Sequence, residues 1–205
     1  MSKQLMKTKR KVNRTKRAKI GSHGFKVYKN TYVYIAKSTD NKPAPRKQIV
    51  EALVNHFNTS QSIRKMVKHI KRVRILYSDS SRFAGTWWNV KQEFSYIDHK
   101  SMNIENALEV MIHEIDGHAF YQFGEKWRKV EWNAFNELAN KMPPVNSYVK
   151  TYLKNKIDGR TNTKYENEQH SAITELMVHG SSYHTLLIGG ADLEKLKNAW
   201  SEFHY

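Results

Sequence analysis

The chain has 205 residues, 39% of them hydrophobic, which predicts one packed globular domain rather than a disordered chain. It contains no cysteine, which excludes disulfides, thiol nucleophiles and cysteine-ligated zinc; any metal must be held by His, Asp or Glu. The formal charge of +16 is concentrated at the front: residues 1–76 carry 21 Lys and Arg against only Asp40 and Glu51, whereas residues 77–205 carry 14 against 17 acids.

Residues 1–22 hold nine Lys or Arg and no acid, and read as a disordered basic arm ahead of a single domain over 23–205. That domain divides into a basic part, 23–76, and a second part, 77–205, that carries the chemistry. A front of this charge attracts polyanions such as nucleic acid, nucleoprotein or an anionic membrane surface; the plainer reading is a solubilising tail. No apolar stretch follows the basic N-terminus, and no apolar run approaches the roughly 20 residues of a spanning helix. The expected location is therefore the cytoplasm.

Residues 25–37, FKVYKNTYVYIAK, are β-branched and aromatic and predict a strand or hairpin. Phe25, Tyr28, Tyr32 and Tyr34 alternate with Lys in a way that would suit stacking on bases, but a half-buried strand explains them as well. A turn is expected at 41–45. A helix over 46–57 carries Ile49, Leu53 and Phe57 at helical spacing, and Ser60 or Ser62 is placed to cap a short helix bearing Ile63, Met66, Val67 and Ile70. Strands are expected at 72–77, 85–90 and 93–98.

The second part reads as helices. Residues 103–123 place Ile104, Leu108, Met111, Ile112 and Ile115 on one stripe. Further helices are expected at 129–141, ended by Pro143-Pro144, at 145–155 before an Asp158-Gly159 turn, at 164–179 before Gly180, and at 191–203. Strands mixed with helices, then helices alone, predict an α+β fold with helices packed on a small sheet.

The chemistry concentrates in His113-Glu114-Ile115-Asp116-Gly117-His118. Imidazole pairs are zinc ligands, and a Glu beside them serves as general base toward a water. The common motif spaces its histidines i, i+4; here they are i, i+5, about 140° apart on a regular α-helix. A π-type widening between Glu114 and His118 would return both rings to one face, and Gly117 would ease it. Two His and a Glu in six residues also occur on ordinary helix surfaces, but this set sits late in an apolar helix, where charged groups need a reason to be. The preceding Gly85-Thr86-Trp87-Trp88 strand offers an edge for an extended peptide, although at least one of the two tryptophans should be a core residue.

On the strands GTWW and FSYID, the helix VMIHEIDGHAFYQF and the later helix ENEQHSAITELMVHG, residues 72–185 resemble the gluzincin metallopeptidases, especially small relatives of the lethal factor catalytic domain. The chain departs from them by the extra residue between its histidines, a spacing also found among tubulin tyrosine carboxypeptidases. The resemblance implies a zincin-like domain, Zn2+ as cofactor, peptide or protein substrates, and a Glu of the later helix as third metal ligand. The family's pattern of a Glu followed three residues on by a small residue favours Glu168, with Ser171 and Ala172 after it. Glu175 is the second choice, with His179 as its partner, and His170 is weaker. Tyr148, Tyr165 and His184 are candidate oxyanion donors, and Asp116 is a candidate to orient a ligand histidine. A SprT-like protease acting on DNA-bound proteins is a rival in which Glu131 would take the third-ligand position. Two further rivals are a non-catalytic nucleic-acid-binding protein and a zincin fold without activity.

Overall fold

The computed structural model describes residues 25–28, 31–36, 43–79, 84–153, 163–180 and 186–205. The predicted arm, the Asp158-Gly159 turn and His184 lie outside these residues.

The hairpin expected near the front is formed by β1 (Phe25–Tyr28) and β2 (Thr31–Ile35), paired antiparallel. Strict alternation along β2 buries Thr31, Val33 and Ile35 and leaves Tyr32 and Tyr34 exposed. Then come α1 (Lys47–Thr59) and α2 (Gln61–Met66), followed by β3 (Arg72–Tyr77). The stripe of α1 is Ile49, Val50, Leu53 and Phe57, all buried. Of the two candidate caps of α2, Ser60 is the one used: its hydroxyl accepts the amide of Ile63.

Strand β4 is Gly85–Trp88, two residues shorter than expected because Asn89 and Val90 turn out toward β5 (Glu93–Asp98). The five strands lie in the order β1-β2-β3-β5-β4. The inner pairs β2–β3 and β3–β5 are parallel and the outer pairs antiparallel, so β4 is an edge strand. The fold is thus α+β with a small mixed sheet. One face, carrying Val33, Val73, Ile75, Phe94 and Tyr96, packs into a core continuous with the helices as far as Phe203. Fully buried Asp98, at the end of β5, receives the Arg46 guanidinium at 2.6 and 3.0 Å; the same guanidinium donates to the carbonyls of His99 and Met102. That clamp joins the start of α1 to the loop that launches the next helix.

This next helix, capped by Asn103, runs unbroken from Ile104 to Trp127. It comprises α3 (Ile104–Met111), a π-helical segment (Ile112–Ala119) and α4 (Phe120–Trp127). Ile104 is exposed at its first turn and so leaves the predicted stripe, while Met111, Ile112 and Ile115 are buried. Helices α5 (Lys129–Lys141), α6 (Ser147–Leu153), α7 (Thr163–His179) and α8 (Gly190–His204) complete the order. Helix α7 ends on Gly180 at φ 75°, the left-handed conformation that suits glycine. Among the described residues no helix is long and apolar enough to cross a membrane.

Candidate metal centre

The site forms where the π segment crosses α7 under the edge of the sheet. In a π-helix the backbone bonds i to i+5, so residues five apart share a face. The distortion expected between Glu114 and His118 is present and wider, from Ile112 to Ala119. It brings the His113 and His118 rings to a centroid distance of 4.8 Å, nearly perpendicular. One ligand atom from each of His113, Glu114 and His118 lies within 4.8 Å of the others.

Helix α7 closes the group. Oε2 of Glu168 lies 3.3 Å from His113 Nε2 and 3.7 Å from His118 Nε2. A tetrahedral zinc with nitrogen and oxygen ligands at about 2.0–2.1 Å separates its ligand atoms by roughly 3.4 Å, so these spacings fit one ion. The other ring nitrogens have partners of their own. His113 Nδ1 is 3.2 Å from Glu175 Oε2, and His118 Nδ1 is 2.9 Å from the Ser171 hydroxyl. With both Nδ1 atoms facing these partners, both Nε2 atoms lie on the side of Glu168.

Glu175 therefore sits on the Nδ1 side of the His113 ring and Glu168 on its Nε2 side. His179 lies 3.7 Å from Glu109 rather than beside Glu175. Asp116 does not touch either motif histidine. It is buried and joins His56 Nε2 at 2.9 Å and the Ser60 hydroxyl at 2.5 Å, so it ties the helix to α1 and α2. Glu131 is on α5, paired with Arg128 at 3.1 Å, whereas the Glu168 carboxylate lies against both motif histidines. His170 faces away from the group, against His204 at 3.2 Å.

Glu114 is held from the sheet: the backbone amide of Trp87 on β4 donates to its Oε2 at 2.7 Å. Trp87 is the core residue of the pair, with its indole donating to Gln122, whereas Trp88 is 48% exposed. Gly85 allows the edge strand to come this close, because a Cβ there would collide with a Val110 methyl group. A cavity of about 180 Å³ opens beside His113 and Glu114, walled by Gly85, Val110, Tyr148 and Glu175. Of the two candidate tyrosines, Tyr148 lies in this wall, its ring edge-on to His113 at 6.3 Å. Tyr165 does not: it is buried, with its hydroxyl turned to the Met142 carbonyl.

Electrostatics follow the same geometry. Burial lowers the pKa of His113, but the carboxylates of Glu168 and Glu175 outweigh it and push the ring up to about 10. Burial raises the carboxyl of Glu168, and His113 and His118 outweigh that and bring it below its ordinary value. Burial, followed by the Tyr152 hydroxyl and nearby carboxylates, raises the Tyr148 phenol, which stays an O–H donor. No family model, curated protein or solved structure matches this chain.

Proposed function

We propose that the chain is a zinc-dependent peptide hydrolase of the zincin type, with His113, His118 and Glu168 holding the ion and Glu114 as general base. The observation that carries this reading is the approach of one carboxylate oxygen to two imidazole Nε2 atoms, at 3.3 and 3.7 Å, beside a second carboxylate on a cavity. A zinc ion there would supply Lewis acidity, polarising a carbonyl and making a water acidic enough to attack near neutral pH.

The remaining work falls to the chain's own groups. The Trp87 amide fixes the Glu114 carboxylate, which takes the proton of the attacking water and passes it to the leaving amine. Tyr148, in the cavity wall and kept protonated, is the donor toward the developing oxyanion. Strand β4 ends the sheet beside this cavity, the position from which an extended peptide is bound by strand addition.

The test is elemental analysis of protein purified without a histidine tag, joined to a peptide-hydrolysis assay. About one zinc per chain is expected, and Glu114→Gln should keep that zinc while lowering the rate by about 10²–10⁴-fold. A zinc-free parent, or a Glu114→Gln variant as active as the parent, would end the proposal.

A further inference from the structure

The core-packed face of the sheet has an opposite side that no helix covers among the described residues. Outward alternation places Tyr32 and Tyr34 there from β2, 55% and 41% exposed, and Trp88 from β4, 48% exposed. Solvated sheet faces are ordinarily polar, so three large exposed aromatics on one face require a reason. Basic groups stand among them. Arg72 and Arg74 are the cross-strand neighbours of Tyr32 and Tyr34 on β3, and Lys71 precedes them. Lys91 lies over the Trp88 ring, 5.1 Å from its centroid. These residues line two adjoining grooves that share Arg74 and Lys91, the larger of about 1020 Å³.

The acid at the centre organises this charge and does not cancel it. Glu93 is buried in the sheet and accepts from Arg72 at 3.2 Å and Arg74 at 3.5 Å, so one carboxylate holds two guanidiniums in place. Lys71 and Lys91 remain exposed.

We propose that this face binds single-stranded nucleic acid, its bases stacking on Tyr32, Tyr34 and Trp88 and its phosphates meeting Lys71, Arg72, Arg74 and Lys91. Aromatics two residues apart on one strand are roughly 6.7 Å from each other, and from β2 to β4 is three strand spacings, roughly 14 Å. A flat face of that extent accommodates a few unstacked nucleotides. A duplex keeps its base faces hidden and would leave the aromatics without a role. An acidic protein would satisfy the cations but gives no reason for the tyrosines. The inference stands apart from the hydrolase reading, because the face lies across the sheet from His113.

Binding of labelled oligothymidylate and oligouridylate to the full chain tests it, the better of the two identifying the sugar. Tyr32→Ala/Tyr34→Ala leaves every charge in place and should weaken binding at least about tenfold. Tyr32→Phe/Tyr34→Phe, which keeps the ring faces, should bind like the parent. Because the alanine pair could disturb the strand, Lys71→Gln/Lys91→Gln at exposed positions gives a second reading: the salt dependence should fall by about 1.4 in log–log slope. An alanine variant that folds and binds as tightly as the parent, an unchanged salt slope, or equal affinity for polyglutamate would overturn the proposal; the last result would point to an acidic protein.

Discussion

Gly117 packs so closely on Ser171 that a Cβ built on it would lie 2.6 Å from the serine hydroxyl oxygen and 2.7 Å from the serine Cα. Because one of the two atoms is backbone, no side-chain rotation on α7 relieves the clash. The glycine is thus needed for the helix crossing itself, in addition to easing the π segment. The same Ser171 hydroxyl holds His118 Nδ1, so the approach of the helices and the aim of the ring are set together.

Gly117→Ala should therefore push α7 away and draw Glu168 off the histidines. Overpacking of this kind costs about 1–3 kcal/mol, or roughly 3–10 °C in Tm for a domain of this size. Zinc retention should fall with it. Adding Ser171→Ala should not restore either property, since the collision with the α7 backbone persists. Thermal melting and zinc content of the single and double variants check this; a Gly117→Ala protein with the parent's Tm and zinc would show that the two helices have room to spare where they cross.

The three acids that compete for the third-ligand position separate cleanly by metal affinity. Glu168→Ala removes the carboxylate oxygen that lies 3.3 and 3.7 Å from the two Nε2 atoms and should abolish stoichiometric zinc. Glu175→Gln keeps a partner at His113 Nδ1 and should retain zinc with an affinity weakened about 10–100-fold. Glu131→Ala, on α5 beside Arg128, should leave zinc binding unchanged. Competition with a chromophoric chelator ranks the three. Loss of zinc from Glu131→Ala, with Glu168→Ala unaffected, would favour the SprT-like arrangement instead.

Local periodicity made much of this readable in advance. A 140° separation of His113 and His118 demanded a wider turn, and the π segment supplies it. The outward alternation of Tyr32 and Tyr34 followed from period two. What could not be read were the relations between elements. Glu168 and Glu175 share a stripe on α7, and a helical wheel cannot say which lies at the Nε2 side of His113; that depends on how far α7 slides along the π segment, which Gly117 and Ser171 decide. Asp116 looked like a partner for a motif histidine, yet its partners His56 and Ser60 arrive from α1 and the cap of α2. Tyr148 and Tyr165 were equivalent until the helix packing placed one beside the cavity and the other against Met142.

A last consequence concerns acid stability, through a pair of histidines away from the centre. His170 Nε2 and His204 Nε2 are 3.2 Å apart, both buried, so only one of these two facing nitrogens can carry a hydrogen. Burial pushes His170 down to about 3, helped by the positive field of His118 and His113. Burial also drives His204 well below its ordinary value, helped by His170, Lys65 and Arg128. The Ser62 hydroxyl meets His204 Nδ1 at 3.3 Å, and the Phe120 and Trp200 rings stack on it. In the unfolded chain both rings titrate near 6.5, so below that pH the unfolded state binds more protons. The stabilisation is complete above about pH 6.5 and declines as pH falls toward 3. At pH 5 the loss from His170 is about 2 kcal/mol, and His204 adds to it in the same direction. His113 runs in the opposite sense in zinc-free protein: its contribution is complete below 6.5 and declines as pH rises through about 10, so it adds no slope in the acid window. Urea denaturation of zinc-free protein between pH 6.5 and 5 should thus show a loss of roughly 1.6 kcal/mol from His170, with a further loss in the same direction from His204. His204→Phe, which keeps an aromatic ring between Phe120 and Trp200, should make that slope shallower whatever its effect on stability at pH 7. An identical slope in the two proteins would mean that these histidines are not held neutral by the core.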